Sequence, residues 1–342
     1  MEKIESAASE WPSFAARGKS NLDLVNDCDN FPRPDLDNDA YTDAVAGLYT
    51  LHVADHHATL GFVRPHVAET LSGLPAWDVS PESQTLILVS GIDEAERTAI
   101  VAATTAAMRQ TRHFALLNKG WRGELYPVYG NAGELLFRIE RAATPLFGVL
   151  ACSVNLTCYV RDRDRDTDRY RFWVPRRARS KPTYPAMLDN TLAAGLPAAE
   201  KPMDVLAREA ERATALPADV VRARAKAVGN VSYFLVRDSR AGGETGLLQP
   251  ESQFVYDLEL RDDDGIEPRP TDGEVEGFAL LSTPEVQAAL SRGEFKPDAA
   301  LVLLDFFIRH GILTPENEPD YVEIVSRLHR RFRFPVPRSI GH

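Results

Sequence analysis

The sequence predicts an α/β protein, because strand-like and helix-like patterns alternate along it. Apolar and polar residues alternate over residues 47–53 and 85–89, which is typical of half-buried strands. Residues 93–111 begin with acidic side chains, carry one apolar stripe and end near basic side chains, which suits the dipole of an α-helix. Residues 299–310 are apolar nearly all round, so we expect a buried helix that ends at Gly311.

The domain organisation is predicted from length and from one charged segment. A chain of 342 residues is long for one compact unit. Strands predicted at 125–129, 134–139 and 147–160 form an antiparallel meander before the run RDRDRDTDR at 161–169, which indicates a solvated boundary loop. We therefore expect an extension at 1–19, an α+β domain at 20–162, a second domain at 168–312, and a tail at 313–342 packed on the second domain.

Composition and charge argue against several classes of protein. A formal net charge of −11 does not suit a surface for nucleic acid or anionic membrane, because such surfaces need a basic field. No apolar run approaches the roughly 20 residues that span a bilayer, and the first residues lack the apolar core of a secretory signal. We expect a cytoplasmic protein that acts on a small molecule and binds neither nucleic acid nor membrane, with a homodimer left open.

The three cysteines are too few and too scattered for a disulfide framework or a zinc site. Cys152 and Cys158 lie in a strand-rich stretch, where small core residues are expected rather than nucleophiles.

The most specific motif is residues 194–216, AGLPAAEKPMDVLAREAERATAL. It resembles the Nudix box, a loop–helix–loop of pattern G-x5-E-x7-R-E-U-x-E-E-x-G-U, in which U is aliphatic. Glu200 fills the first acidic position, and Arg208 and Glu209 fill the R-E pair after the seven-residue spacer. The remaining box positions hold Ala194 followed by Gly195 at the first glycine, Ala210 at the aliphatic position, Arg212 and Ala213 at the last two glutamates, and Ala215 at the last glycine.

The segments around the box are similar to the fungal thiamine-pyrophosphokinase-related Nudix proteins. These segments are residues 20–31, 120–130, 173–190, 240–251, 296–309 and 311–331, so the resemblance covers roughly residues 20–335. The resemblance implies a Nudix α/β/α sandwich with a mixed sheet, preceded by a smaller α+β N-terminal domain. It also implies hydrolysis of thiamine-like or other organic diphosphates with magnesium or manganese.

The box helix lacks the acids that this chemistry needs. Divalent cations neutralise the phosphoryl oxygens and activate water, and an intact helix presents three carboxylates at i, i+3 and i+4 on one face. Here that face presents the carboxylate of Glu209, the guanidinium of Arg212 and the methyl of Ala213. At about 4 Å and an effective dielectric of about 20, a unit charge repels a divalent ion by roughly 8 kcal/mol. We therefore expect no metal cofactor, with Glu200 and Glu209 as residual ligands for Mg²⁺ or Mn²⁺ if hydrolysis persists.

Several charged residues are candidates for the site. The acids are expected to exchange protons with a substrate, and the cations to bind it. Glu274 and Glu276 alternate in a predicted strand and should face the same side, although a solvated face is an equal alternative. Solvated loops or a purely structural ion pair are the alternatives for the cations. The candidates are Glu209, Glu244, Glu251, Glu274 and Glu276 for catalysis, and Arg176, Arg177, Lys181, Arg208 and Arg212 for substrate binding.

Three functions follow from these observations. The first is a repurposed, metal-independent enzyme that acts on a small organic substrate by carboxylate acid–base chemistry, for example in specialised metabolism. The second is a Mg²⁺- or Mn²⁺-dependent hydrolase of thiamine-like or nucleoside diphosphates with reduced activity. The third is a non-catalytic ligand-binding protein. The retention of nearly every flanking segment around an altered box favours the first.

Overall fold

The structure, a computed structural model, describes residues 18–162 and 170–337; residues 1–17 of the predicted extension and most of the charged loop lie outside this range. The helices of the described part are α1 Asn21–Cys28, α2 Asn38–Ala46, α3 Pro65–Glu69, α4 Glu94–Gln110, α5 Ala115–Gly120, α6 Thr144–Phe147, α7 Pro202–Thr214, α8 Ala218–Arg224, α9 Thr283–Ser291, α10 Pro297–Arg309 and α11 Tyr321–Arg327. The strands are β1 Tyr49–Val53, β2 Gly61–Val63, β3 Trp77–Ser80, β4 Thr85–Leu88, β5 Leu125–Tyr129, β6 Leu135–Glu140, β7 Ala151–Arg161, β8 Tyr170–Arg177, β9 Leu192–Gly195, β10 Lys226–Val236, β11 Leu248–Leu260 and β12 Val275–Ser282.

The N-terminal part contains a four-stranded sheet of order β2-β1-β4-β3, in which β1 and β4 run parallel. Strands β5 and β6 form a separate antiparallel hairpin. Helix α4 packs against β6, and it begins at Asp93, whose side chain accepts a hydrogen bond from the backbone N–H of Glu96. The strands predicted at 47–53 and 85–89 and the helix predicted at 93–111 are therefore confirmed.

A second, larger sheet has the order β10-β11-β7-β8-β12, with β9 paired to β7. Strands β11 and β7 run parallel and the other pairs run antiparallel, so the predicted mixed sheet is confirmed. The prediction that residues 147–160 complete an antiparallel meander is wrong, because β7 lies in the middle of this larger sheet. Ten consecutive residues of β7 are buried, as expected of a strand covered on both faces. The larger sheet thus begins before the boundary predicted at 162–168.

Helices cover both faces of the larger sheet. Successive residues of β11 point to opposite faces: Val255 belongs to the core that contains Phe306 of α10, and Leu258 to the core that contains Leu206 of α7. The expected α/β/α layering is confirmed. Helices α1 and α11 also contribute to the core around α10, so α1 packs with the larger sheet although the sequence assigned it to the N-terminal domain.

The box helix is α7. Pro202 lies in its first turn, where a missing N–H costs nothing, and small residues such as Ala207 and Ala210 let it pack closely on the sheet. The helix ends at Ala215, which has a left-handed conformation with φ of +57°. Glycine is the usual residue in that conformation, and Ala215 adopts it at the position where the box pattern has its last glycine.

Candidate functional site

A cavity of about 640 Å³ lies between the β5–β6 hairpin, the box helix and the larger sheet. The hairpin is held against the box loop. The backbone N–H of Ala198 donates to the carbonyl of Leu125 over 3.0 Å. A Cβ at Gly195 would lie 1.4 Å from the hydroxyl of Tyr126, so only glycine permits this approach. The N-terminal part of the chain therefore forms one wall of the cavity.

The cavity is lined by nine basic and seven acidic residues, whereas the whole chain has a formal net charge of −11. The local field thus opposes the global charge and favours an anionic ligand. The basic residues are Arg122, Arg138, Arg141, Arg177, Lys181, Arg208, Arg212, Arg237 and Lys296, and the acidic residues are Glu124, Asp189, Glu200, Glu209, Glu251, Glu274 and Asp298.

Two guanidinium groups hold the carboxylate of the box helix. Arg208 donates to one oxygen of Glu209 over 3.2 Å, and Arg212 donates to the other over 2.7 Å. Arg208 also pairs with Glu200. Both candidate metal ligands are therefore neutralised by side chains of the box itself, and the pairing role that the sequence offered for Arg208 is what the geometry shows.

The segment before β12 is hydrogen-bonded to the last turn of the box helix. Arg212 donates to Asp272 over 2.9 Å, and the hydroxyl of Thr271 donates to the carbonyl of Arg212. Asp272 in turn accepts a hydrogen bond from the backbone N–H of Glu274 over 2.9 Å. Arg212 therefore positions the loop that carries Glu274 into the cavity.

Glu274 is shared between two cations. One of its oxygens lies 2.8 Å from Arg122 and the other 2.9 Å from Lys181. Burial opposes its ionisation, but the hydrogen bonds and charges of Lys181 and Arg122 lower its pKa to about 2. Burial lowers the pKa of Lys181. Glu274 is thus a fixed anion, unsuited to taking up a proton near neutral pH.

Glu251 differs from the other acids of the cavity. It lies within β11, where it is flanked by Tyr233 on β10 and Ala151 on β7. Its carboxylate accepts hydrogen bonds from four neutral donors and, among the described residues, forms no ion pair. The donors are Ser153 at 2.9 Å, Tyr233 at 2.8 Å, Gln249 at 3.1 Å and Gln253 at 3.3 Å.

Tyr233 remains a hydrogen-bond donor to Glu251. Burial, followed by the charge of Glu251, raises the pKa of the Tyr233 hydroxyl well above its usual value. Its hydroxyl is therefore protonated at neutral pH and fixes one carboxylate oxygen in place.

Among the basic residues of the cavity, Arg237 is the counterpart of Glu251. Its guanidinium donates to the side-chain oxygen of Gln249 and to the carbonyls of Ala241 and Gly242, all neutral acceptors. Within residues 18–162 and 170–337 it forms no ion pair, although its residue is only 6% exposed. Burial lowers the pKa of Arg237. Its charge is thus available to a ligand.

The floor of the cavity carries two further ion pairs. Arg177 at the end of β8 donates to Asp189 over 2.7 Å, and Lys296 donates to Asp298 over 2.7 Å. Burial disfavours the charge of Lys296, but Asp298 and Asp189 together raise the pKa of its ammonium group. Lys296, Asp298 and Asp189 were not predicted as site residues: Lys296 and Asp298 are two residues apart but match no motif, and Asp189 lies in a distant segment.

Three predicted site residues lie outside the cavity lining. The carboxylate of Glu244 accepts hydrogen bonds from the backbone N–H groups of Ala115 and Leu116, so it caps α5. Arg176 donates to the carbonyl of Ala186 in a neighbouring loop. The assignment of these side chains to substrate chemistry does not match their positions.

Glu276 is the third such residue. A register shift between Val275 and Gly277 interrupts the strand, so Glu274 and Glu276 do not face the same side as predicted. Glu274 lines the cavity, whereas Glu276 contacts Arg179, whose side chain is 84% exposed.

Glu251 itself was a candidate, but no strand was predicted at this residue. In the structure β11 begins at Leu248, so Gln249, Glu251 and Gln253 alternate along one face of a strand. Three polar side chains at a spacing of two, followed by an apolar stretch, are the signal that could have revealed this polar face.

No group of three or more His, Cys, Asp or Glu side chains is placed to hold a metal ion within the part of the chain that the structure describes. In the same part, no helix combines the length and apolarity needed to cross a membrane. Cys152 and Cys158 are buried and unpaired, so their prediction as core residues is confirmed.

Comparison with known proteins shows which sequences this chain resembles. Residues 41–151 match a domain of unknown function, DUF4743. Over 214 residues, 62% of the chain, the protein is 36% identical to the chloroplastic Nudix hydrolase 20 of Arabidopsis thaliana. Over 211 residues, 61% of the chain, it is 35% identical to the chloroplastic Nudix hydrolase 24 of that plant. The chain is related to the Nudix hydrolases.

This Nudix relationship covers only part of each relative. The match spans 53% of Nudix hydrolase 20 and 54% of Nudix hydrolase 24. The Saccharomyces cerevisiae protein YJR142W is 41% identical over 222 residues, which are 64% of this chain and 64% of the yeast protein. The chain therefore matches between about half and two thirds of the length of these curated relatives.

Proposed function

We propose that the protein is a metal-independent enzyme that uses Glu251 for acid–base chemistry on a small anionic organic substrate. One observation carries this proposal. Of the seven acids that line the cavity, Glu251 is the one without an ion pair among the described residues. A carboxylate that lies beside a ligand-sized cavity and is held by neutral donors is placed to exchange a proton with a bound substrate.

The surroundings of Glu251 suit such a role. Ser153, Tyr233 and Gln253 orient the carboxylate from within the sheet, which keeps its position fixed while a proton is transferred. Arg237 lies on the other side of Gln249 and supplies a positive charge. That charge would bind an anionic substrate group or stabilise negative charge that develops after proton removal.

The box helix does not fit a divalent cation in this proposal. Mg²⁺ and Mn²⁺ need several free carboxylate oxygens, whereas both oxygens of Glu209 accept from guanidinium groups and Glu200 is paired with Arg208. Metal binding would require Arg208 and Arg212 to leave together. No step of the proposed chemistry therefore involves a metal.

The second candidate function is a Mg²⁺- or Mn²⁺-dependent hydrolase of thiamine-like or nucleoside diphosphates. The observation in its favour is the identity of 35–36% to two proteins named Nudix hydrolases. In this alternative Glu200, Glu209 and cavity acids would assemble around the metal once a diphosphate has displaced the arginines.

Metal dependence of turnover separates the two functions. The purified protein is incubated with a small-molecule extract of the cells that make it, and separately with thiamine diphosphate and nucleoside diphosphates, in EDTA or in Mn²⁺. Mass spectrometry then identifies converted compounds. The proposal expects conversion of an extract component in EDTA. Turnover of a diphosphate only with Mn²⁺ would support the second function. If nothing is converted in either condition, the result would favour a non-catalytic ligand-binding protein.

A further inference from the structure

The charges of Glu274, Arg122 and Lys181 do not cancel one another. Arg177 and Lys296 at the floor of the cavity each have a carboxylate of their own. At the rim, by contrast, two cations share the single carboxylate of Glu274, one on each oxygen. This group of three residues, which we call the rim triad, therefore retains one positive charge.

We propose that Arg122 and Lys181 form a binding subsite for a phosphate group of the ligand, and that Glu274 occupies this subsite when the ligand is absent. A phosphate offers oxygens to both cations as a carboxylate does, but it carries up to two negative charges and so balances both. The inference rests on the cavity being the ligand site, but it does not depend on proton transfer by Glu251.

The backbones that carry the two cations are held by hydrogen bonds that do not involve the Glu274 side chain. The carboxylate of Glu140, which is 2% exposed, accepts hydrogen bonds from the backbone N–H groups of Arg122 at 2.9 Å and Gly123 at 3.0 Å. The backbone of Lys181 donates to the carbonyl of Ala178 over 3.1 Å, and the Lys181 side chain is 11% exposed. The backbone positions of the subsite would therefore persist after the Glu274 carboxylate has left it.

Glu274 is the member of the rim triad that can be displaced. Its side chain is 33% exposed, and it follows Gly273, whose φ is +72° and around which an added Cβ would meet open space. Its backbone is tied to Asp272 and through Asp272 to Arg212. Displacement of Glu274 by phosphate would thus disturb the hydrogen bonds that connect it, through Asp272, to Arg212 of the box helix.

Binding of inorganic phosphate tests this inference without any turnover. Calorimetry of Glu274→Gln is expected to give a Kd for phosphate about tenfold lower than that of the wild type, because the competing charge is removed, a change of about 1.4 kcal/mol. Adding Lys181→Met to Glu274→Gln should abolish the gain. Glu276→Gln is the matched control, since Glu276 lies two residues away and outside the cavity lining.

The inference is overturned if Glu274→Gln leaves the phosphate affinity unchanged, or if Glu276→Gln raises it equally. Thermal unfolding of each variant shows whether it is folded. Adding Arg122→Met to Glu274→Gln is a second test and should also abolish the gain in phosphate affinity. Failure of the proposed function would look different, since Glu251→Gln would then leave turnover intact whatever happens to phosphate binding.

Discussion

Arg237 and Glu251 contact the same amide. The guanidinium of Arg237 donates to the side-chain oxygen of Gln249 over 2.7 Å, and the side-chain nitrogen of Gln249 donates to Glu251 over 3.1 Å. Because the amide is neutral, neither charge is cancelled by a direct ion pair. Arg237 and Glu251 are the two charged residues of the cavity lining that form no ion pair among the described residues.

The left-handed backbone conformation of Ala215 leads to a prediction about stability. Replacing Ala215 with glycine should stabilise the protein by about 1 kcal/mol, because the side chain is exposed and its Cβ is strained at positive φ. Urea unfolding measures the change. The matched control is Ala103→Gly on the exposed face of α4, which should cost about 1 kcal/mol, since there the alanine has the helical conformation. A loss of stability in Ala215→Gly would contradict this account of the end of the box helix.

The rim triad predicts a pH dependence of stability. The folded pKa of Glu274 is lowered to about 2 from an ordinary value of 4.5, so its contribution is fully present above pH 4.5 and is lost as pH falls through about 2. The difference in unfolding free energy between wild type and Glu274→Gln should therefore shrink between pH 4.5 and pH 2. Chemical unfolding across that range measures it, and a difference that stays constant or grows towards low pH would refute the ion pairing.

The altered box predicts that metal binding can be restored. Arg212→Glu combined with Ala213→Glu removes one cation from Glu209 and places two more carboxylates on the face that lines the cavity. We expect this variant to bind Mn²⁺ at concentrations at which the wild type does not, as followed by electron paramagnetic resonance. Arg212→Gln with Ala213→Gln has the same side-chain lengths without the charges, and equal binding by that variant would argue against the electrostatic explanation.

Part of the fold could be predicted from local patterns. The helix at 93–111 was predicted from its charge order and apolar stripe, and the box helix from the spacing of the box, because these signals are local in sequence. The mixed sheet was expected from the resemblance to the Nudix family. The pairing of β7 was predicted incorrectly. A parallel partner such as β11 lies about a hundred residues away, and no local pattern distinguishes it from the next strand in a hairpin.

The site could be predicted only in part, for a related reason. The box residues Glu200, Arg208, Glu209 and Arg212 are close in sequence, and they do line the cavity. Arg122 and the neighbouring residues Lys296 and Asp298 come from two segments that are distant from the box and meet it only in the folded chain. Glu276 was misplaced because a single bulge reverses the alternation on which its prediction depended.

The most direct test of the central proposal is the rate at which Glu251→Gln converts an identified substrate in EDTA. The amide keeps the size of the side chain and removes its ability to accept a proton. We predict a fall in kcat/KM of about 10² to 10⁴-fold relative to wild type, while Glu276→Gln keeps the wild-type rate. An unchanged rate in Glu251→Gln, or a wild-type rate that disappears in EDTA and returns with Mn²⁺, would contradict metal-independent acid–base chemistry at Glu251.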